Sequence, residues 1–150
     1  MSLSYAVKII PFFASPHLAS LLDFYRTYLP DFTIHPHPTD AAEPTFASVW
    51  AGPGAAANIY IIQDEEKVLG SCMIMMKSVP ALDELYEGLV AKGLKRLDVI
   101  EWTGMPVSAD TSEPQTALGP IEDKSWGYRQ FDLVDLHGNM IVFFAFLEGE

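Results

Sequence analysis

The longest apolar stretch of the chain is Met140–Leu147, which no polar residue interrupts. A strand with one solvated face alternates apolar and polar residues, so this run predicts a strand with both faces covered. Residues 135–138 before it read Asp-Leu-His-Gly, where Asp suits the first position of a type I turn and Gly the fourth. The segment Gly127–Val134, which takes its apolar character from Phe131, Leu133 and Val134, precedes that turn. Together the three segments predict a closing β-hairpin.

Apolar residues at helical spacing predict two amphipathic helices. The first covers residues 16–29, with Ser15 as a candidate N-cap, Pro16 at its first position and Pro30 at its end. The second begins after the candidate N-cap Ser78 and closes at Gly93. Its apolar face consists of Leu82, Leu85, Tyr86, Leu89 and Val90.

Runs rich in β-branched and aromatic residues predict strands around these helices. They are Ala6–Phe13, Phe32–His37, Thr45–Ala51, Asn58–Gln63, Ser71–Lys77, Ala117–Glu122, Gly127–Val134 and Asn139–Leu147. Pro36 and Pro38 place the second strand at a sheet edge, because proline lacks the N–H that a central strand donates. The order strand-helix-strand-strand-strand therefore occurs twice. This repeat predicts one domain, residues 1–150, built from two modules at about residues 5–64 and 71–147.

The segment Leu94–Thr116 departs from this regular order. It contains Gly104, Pro106 and Pro114, and only its first part, Lys95–Trp102, has the pattern of a short extra strand. Long loops inside a compact domain are often functional, and a variable surface loop is the alternative interpretation.

Composition narrows the classes of function. The net charge of −11 argues against nucleic-acid binding, and it favours either simple solubility or the approach of cationic ligands. Cys72 is the only cysteine, so no disulfide forms within the chain, and its apolar surroundings predict a buried, unreactive thiol. Neither a secretory signal pattern nor an apolar run long enough for a bilayer is present, so we expect a cytoplasmic protein without a membrane segment.

The closing hairpin carries a more specific pattern. Trp126, Gly127, Arg129, Phe131, Asp135, Gly138 and Asn139 precede the apolar last strand. This order resembles the closing hairpin of the glyoxalase / bleomycin-resistance / extradiol-dioxygenase superfamily, which has the vicinal oxygen chelate fold. The resemblance implies an α+β domain in which paired βαβββ modules form a curved mixed sheet around a cleft. Leu136 and His137 replace the usual Pro and Asp of the turn.

Enzymes of this superfamily hold a divalent metal in the cleft, and the resemblance assigns its ligand positions to this chain. The positions fall at Ile10, near Gln63, at Ser71 and at Val142, where metal-binding members carry Glu. Only Gln63 is a suitable donor, and one donor does not make a chelate. We therefore predict no metal and no cofactor, as in the bleomycin-resistance branch of the superfamily.

The four histidines do not change this prediction. His35 and His37 alternate on one strand face, a spacing that can grip a metal, but no Cys or acid nearby completes the set. A solvated edge is the simpler interpretation. His17, in the first helical turn, and His137, in the closing turn, have no visible partner in the sequence.

The strand period of two predicts which side chains line the cleft. Phe12, Met73, Met75, Val142 and Phe144 share faces with the metal-ligand positions, and Phe46 and Trp50 share another. Trp102, in the irregular segment, is the candidate for stacking on a ligand, whereas Trp126 belongs to the hairpin motif and is assigned to the scaffold. For each of these residues, packing in the core or in a dimer interface is the alternative.

The resulting hypothesis is metal-independent binding and sequestration of a small apolar or aromatic molecule, with cationic molecules favoured by the charge. The resemblance also implies a homodimer. The alternative function is that of a lyase, isomerase or dioxygenase of the same superfamily with atypical metal ligands. A third is a purely structural or regulatory role. The sequence does not identify the ligand.

Overall fold

The computed structural model describes residues 3–39, 42–64, 69–100 and 116–147, and these form two sheets and two α-helices. The first module contains β1 (Phe12–Ser15), α1 (Leu18–Tyr28), β2 (Thr33–His37), β3 (Phe46–Ala51) and β4 (Ala57–Gln63). The second contains β5 (Ser71–Met75), α2 (Val79–Ala91), β6 (Ala117–Leu118), β7 (Glu122–Asp123), β8 (Tyr128–Val134) and β9 (Met140–Phe146). No helix in the described ranges is both long and apolar enough to cross a membrane.

The two sheets have matching topology, which confirms the predicted repeat. The first has the strand order β1-β4-β3-β2, and the second has β5-β9-β8-β6 with β7 also pairing β8. In each module the first strand is parallel to the last one. The registers also correspond. Phe12 lies five residues before His17, the N-cap of α1, and pairs with Tyr60; Met73 lies five residues before Ser78, the N-cap of α2, and pairs with Val142.

The start of α2 follows its sequence pattern, and the start of α1 does not. Ser78 caps α2 by accepting a hydrogen bond from the N–H of Ala81, as predicted. In α1 the N-cap is His17, not Ser15, and the helix begins at Leu18. Ser15 is the last residue of β1, where its hydroxyl accepts a hydrogen bond from the N–H of His17 at 3.0 Å. Ser15 therefore belongs to the sheet, although the local sequence pattern assigned it to the start of the helix.

Two of the predicted strands differ from the observed ones. The structure places β1 at Phe12, not at Ala6, because β4 pairs with the chain only from that region onward. Val7 and Ile9, which gave the earlier part its strand-like composition, are exposed. The predicted strand Ala117–Glu122 is divided into β6 and β7 around Gly119 and Pro120. In the described part of Lys95–Trp102, only a bridge between Arg96 and Leu118 forms.

Both helices pack into one apolar core. Leu18, Leu21 and Leu22 of α1 and Leu82 and Leu89 of α2 are buried in the same cluster. In β9 the residues facing this core are Ile141, Phe143 and Ala145, which are buried. The residues between them, such as Val142 and Phe144, are only half-buried. The prediction that both faces of this strand are covered is therefore right for the helix side alone.

The turn between β8 and β9 holds the two modules together through Asn139. This fully buried side chain donates to the carbonyl of Ala14 at 2.8 Å and accepts from the N–H groups of Ala14 and Gly70. Ala14 belongs to β1, and Gly70 immediately precedes β5. A single amide therefore connects the closing turn to the first strand of each module.

Asp135 orients this amide from within the same turn. Its Oδ1 accepts from the backbone N–H groups of His137, Gly138 and Asn139, each at 3.0 Å. Its Oδ2 accepts from the side chain of Asn139 at 3.0 Å and from the hydroxyl of Tyr25, in α1, at 2.9 Å. The predicted turn is present, because the N–H of Gly138 donates to the carbonyl of Asp135 at 3.2 Å, and the Asp135 side chain also fixes Asn139 and Tyr25.

Gly70 allows the strands of the two modules to approach. A Cβ added at this position would lie 2.2 Å from the carbonyl oxygen of Phe12 and 2.7 Å from the ring of Phe13. Because no heavy atom fits at such a distance from backbone, only glycine is compatible with this approach of β1 to the start of β5.

The first prediction tests the amide of Asn139. Asn139→Ala leaves the buried polar groups of Ala14 and Gly70 without partners, so we expect a loss of about 2–4 kcal/mol in the free energy of unfolding. The control is Asn58→Ala, because half-buried Asn58 accepts one hydrogen bond, from Ser48, and its loss should cost less than about 1 kcal/mol. Equal losses in denaturant titrations of the two variants would contradict the proposed role.

The second prediction concerns the ionisation of Asp135. Burial raises the pKa of this carboxyl to about 6, and the hydrogen bonds from Asn139, Tyr25 and the turn offset only part of that effect. Because the folded pKa lies above the unfolded value of about 3.9, the folded state binds the proton more strongly. The stabilisation that comes from protonated Asp135 is complete below about pH 4 and is lost as the pH rises through about 6.

Carbon-13 NMR of the Asp135 carboxyl should give a titration midpoint near 6. The stability of the wild type relative to Asp135→Asn should fall by roughly 2–3 kcal/mol between pH 4 and pH 7, since each pKa unit corresponds to about 1.4 kcal/mol. A midpoint below about 4, or a stability difference independent of pH, would show that the folded state favours the carboxylate instead.

Candidate functional site

The candidate site is the face of the two sheets that points away from the helices, which we call the open face. Side chains alternate along each strand, so the helix-facing residues are buried and their neighbours point the other way. The two halves of the open face meet where β1 approaches the start of β5. A cavity of about 300 Å³ lies at this junction and is lined by Pro11 and Asn58 of the first module and Met73 of the second, among others.

The first sheet contributes two groups of aromatic rings to the open face. Tyr60 contacts Phe12 and Phe46 edge-on, with ring centroids 5.9 Å and 5.1 Å apart. Trp50 lies further along β3 with its centroid 4.8 Å from the ring of His35. Such edge-to-face pairs keep each ring in a defined orientation. The side chain of Phe12 is nevertheless 60 % exposed.

The second sheet contributes methionines and a stacked aromatic pair. Met73 and Met75 of β5 are 54 % and 59 % exposed, although both are large apolar side chains. Beside them, Phe144 of β9 stacks on Tyr128 of β8 with centroids 4.7 Å apart. Val142 lies opposite Met73 in the register of the sheet. The surface is apolar and has flexible side chains at its centre, a combination that suits ligands of varied shape.

An acidic side chain, Asp132 of β8, lies among the apolar residues on this half of the open face. It pairs with Val142 and is half-buried. Burial raises the pKa of its carboxyl, and the nearby Lys124 partly offsets that effect while Glu122 adds to it. The site therefore combines apolar walls with a carboxyl group that is partly shielded from water.

The structure brings most of the predicted site residues together. Phe12, Phe46 and Trp50 lie on the open face of the first sheet, and Met73, Met75, Val142 and Phe144 lie on that of the second. Trp102 lies outside the described residues. Sequence reasoning missed Tyr60, Tyr128 and Asp132. Asp132 was detectable, because it is the one charged residue between the apolar residues Phe131 and Leu133 of a predicted strand.

The register of the sheets corrects one predicted metal-ligand position. Gln63 pairs with buried Ser15 on the helix side, and its Oε1 accepts from the N–H of Leu18 at 2.9 Å. By the correspondence of the two registers, Tyr60 is the residue of β4 that matches Val142 of the second module. Among the described residues, no group of three or more His, Cys, Asp and Glu side chains is arranged to hold a metal ion.

The histidines of the open face lie along its edge. His35 and His37 are exposed on β2, an edge strand as predicted, and both point toward the open face. The rings of Trp50 and Phe46 lie 4.8 Å and 5.8 Å from them. Their surroundings are therefore aromatic side chains and solvent.

The other two histidines have partners that the sequence did not reveal. The Nδ1 of His137 lies 2.8 Å from the hydroxyl of Ser15, and the Nδ1 of His17 lies 2.8 Å from that of Ser20. Burial lowers the pKa of His137, and the neighbouring His17 lowers it further. Ser15 is fully buried, so its contact with His137 connects the closing turn to β1 and does not present a nucleophile to substrate.

Two further predictions about single residues have different outcomes. Trp126 is 62 % exposed with the Lys124 ammonium 5.9 Å from its ring centre, so it is not the packed scaffold residue that the motif suggested. Cys72 is only half-buried, not buried as predicted, and its partial burial raises the pKa of its thiol to about 12. The thiol therefore stays protonated at neutral pH, in agreement with the prediction that it is unreactive.

Comparison with known proteins identifies the fold of this chain. No protein-family model and no curated protein sequence matches the chain significantly. Solved structures do match. A bleomycin-binding protein from Streptomyces verticillus, in complex with copper(II)-bleomycin, is 20 % identical, covers 91 % of this chain and 93 % of its own, and has a TM-score of 0.60.

Two further structures are similar over almost the whole chain. A glyoxalase-related enzyme from Clostridium phytofermentans is 14 % identical, covers 97 % of this chain and 100 % of its own, and has a TM-score of 0.63. A glyoxalase/bleomycin resistance protein/dioxygenase from Nocardioides is 20 % identical, covers 100 % of this chain and 89 % of its own, and has a TM-score of 0.61. The chain has the α+β fold of the glyoxalase/bleomycin-resistance superfamily, as the closing hairpin predicted.

Proposed function

We propose that the open face binds and sequesters a small apolar or aromatic molecule without changing it chemically. The observation that carries this proposal is the exposure of Phe12, Met73 and Met75, each more than half accessible on one surface between aromatic groups. Exposed apolar side chains that cluster on one face of a protein commonly mark a binding site. Trp102, outside the described residues, remains a predicted stacking partner for the ligand.

The charge of the protein favours a cationic ligand. The net charge of −11 attracts cations over long distances, and Asp132 places a carboxyl group on the open face itself. The long-range attraction weakens with salt, whereas apolar contacts with Phe12 or Met75 do not. The Streptomyces verticillus protein of the same fold, solved with copper(II)-bleomycin, supports a small-molecule ligand as the object of binding.

The proposed binding needs no metal held by the protein. At the four superfamily ligand positions this chain has Ile10, Tyr60, Ser71 and Val142. Two of these side chains are hydrocarbons and two are neutral hydroxyls, which are poor ligands for transition metals compared with His, Cys or carboxylate. An enzyme of this fold that uses the same positions for a metal would need donors that these residues lack.

The proposal also includes a homodimer in which a second copy borders the open face. The half-buried side chains of β9, such as Phe144 and Phe146, and the exposed methionines of β5 leave apolar surface that one chain does not cover. Symmetric dimers are the commonest way in which soluble proteins cover such surface.

Binding is tested with a matched set of variants. Phe12→Ser and Met75→Ser each remove an apolar contact from the open face, so we expect affinity for bleomycin and for the flat cation 9-aminoacridine to fall by about five- to tenfold. Leu3→Ser is the control, because Leu3 is also exposed and apolar but lies in the short 3₁₀ helix Leu3–Tyr5, which belongs to neither sheet, and its affinity should stay within about twofold. Calorimetry gives the affinities, and chromatography should recover both compounds unchanged.

Three results would contradict the proposed function. The first is equal binding by the open-face variants and the control. The second is turnover of a methylglyoxal–thiol adduct or a catechol that added metal stimulates, which would favour the lyase, isomerase or dioxygenase alternative. The third is about one transition-metal ion per chain, retained after dialysis against a chelator.

The dimer is tested by light scattering over a wide range of concentration. We expect a mass of twice 16.6 kDa, because burial of the apolar side chains on the open face favours association. Met73→Glu places a charge on this surface and should shift the equilibrium toward monomer. A wild-type mass of 16.6 kDa at every concentration would exclude the dimer.

A further inference from the structure

A second cavity lies on the helix side of the sheets, opposite the open face. It has a volume of about 420 Å³ and opens between the end of α1 and the outer part of α2. Its floor includes Ile74 of β5 and Phe143 of β9, two residues that face the helices. A cavity of this size is in the range of small-molecule sites and far larger than the voids that occur within packed cores.

The walls of this cavity are apolar and come from both modules. Leu29 and Phe32, at the end of α1, face Leu85 and Leu89 of α2 across it. A molecule inside would therefore contact both modules at once. Its apolar part would leave water for a hydrocarbon surface, which is the main favourable term for such binding.

Small residues keep the cavity open. Ala51, Ala57, Ala81 and Gly88 line it, and a Cβ added at Gly88 would meet no atom within 4 Å. Glycine inside a helix is less favourable than alanine by roughly 1 kcal/mol. Because Gly88 lines the cavity and a side chain there would begin without a clash, a larger residue at this position is the substitution with which to fill the cavity.

The mouth of the cavity has a negative balance of charge. Asp31, Glu84 and Lys92 line it, and the ammonium of Lys92 already donates to the carbonyl of Tyr28 at 3.4 Å. Asp31 and Glu84 make no hydrogen bond or ion pair within the described part of the chain. Two carboxylates are thus available to a ligand, and because the partner of Lys92 is an uncharged carbonyl, the three side chains leave one net negative charge at the mouth.

From these observations we propose that the cavity between α1 and α2 is a second binding site, for a small amphipathic molecule with an apolar body and one cationic amino group. The body fills the space between Phe32, Leu85 and Phe143, and the amino group lies at the mouth beside Asp31 and Glu84. This site does not depend on the proposed function of the open face, because the two surfaces lie on opposite sides of the sheets.

Three compounds with one skeleton test the chemistry of the site: 4-phenylbutylamine, 4-phenylbutanol and 4-phenylbutyrate. By calorimetry the amine should bind about fivefold more tightly than the alcohol and at least about tenfold more tightly than the acid. The reason is that the mouth of the cavity attracts a cation and repels an anion. Amide chemical shifts should change at residues 28–32 and 81–92, and not at residues 12–15 of β1, which do not line the cavity.

Variants then locate the binding. Gly88→Leu fills the cavity and should weaken amine binding at least about tenfold, whereas Gly88→Ala should bind normally and melt at a higher temperature. The double variant Asp31→Asn, Glu84→Gln should bind the amine and the alcohol equally. Glu87→Gln is its control, because exposed Glu87 lies on α2 away from the cavity lining.

Each opposite result would overturn the proposal. The first such result is that the amine does not bind at about 5 mM. The second is that Gly88→Leu binds the amine as tightly as the wild type, and the third is that the double variant still prefers the amine to the alcohol. Loss of amine binding in Met75→Ser would also overturn it, by assigning the compound to the open face. Because Gly88→Ala and the charge variants leave the core intact, failure of Gly88→Leu to fold would still leave the test decisive.

Discussion

The fold depends on one buried amide group in a turn. Asn139 satisfies polar backbone groups of Ala14 and Gly70 that have left water, and Asp135 holds it in the orientation that makes this possible. An unpaired buried donor or acceptor is costly, so these strands have little freedom to move apart. The positions of β1 and β5, and hence of the two halves of the open face, follow from that constraint. Tyr25 extends it to α1 through its hydrogen bond with Asp135.

The sequence predicted those parts of the fold that local patterns determine. Ser78 begins α2 because its hydroxyl caps a neighbouring N–H, an interaction within four residues. The start of α1 was predicted wrongly because it depends on Gln63, whose side chain bonds the N–H of Leu18 across 45 residues. Likewise, the composition of Ala6–Phe13 is that of a strand throughout, but strand pairing needs a partner, and β4 provides one only at its end.

The same distinction applies to the site. The strand period of two placed Phe12, Met73 and Phe144 on the open face, because alternation is a property of the backbone itself. The fourth metal-ligand position was predicted near Gln63, but the register of β1 with β4 turns Gln63 to the helix side and makes Tyr60 the match of Val142. Register is set between strands and is not present in either strand alone. The exposure of Trp126 also escaped prediction, since a motif identifies a residue but not its surroundings.

The apolar residues of β9 point alternately to the two sides of the sheet. A continuous apolar run in the sequence does not show what covers each side. Phe143 faces the cavity between the helices, and Phe144, the next residue, faces the open face. Coupling between two sites needs an element with two arrangements that the ligands favour differently. β9 is paired along its whole length with β8 and over five residues with β5, and Asn139 fixes the turn before it. A strand held in this way has one register, so adjacent side chains on its two faces belong to sites that we expect to fill independently.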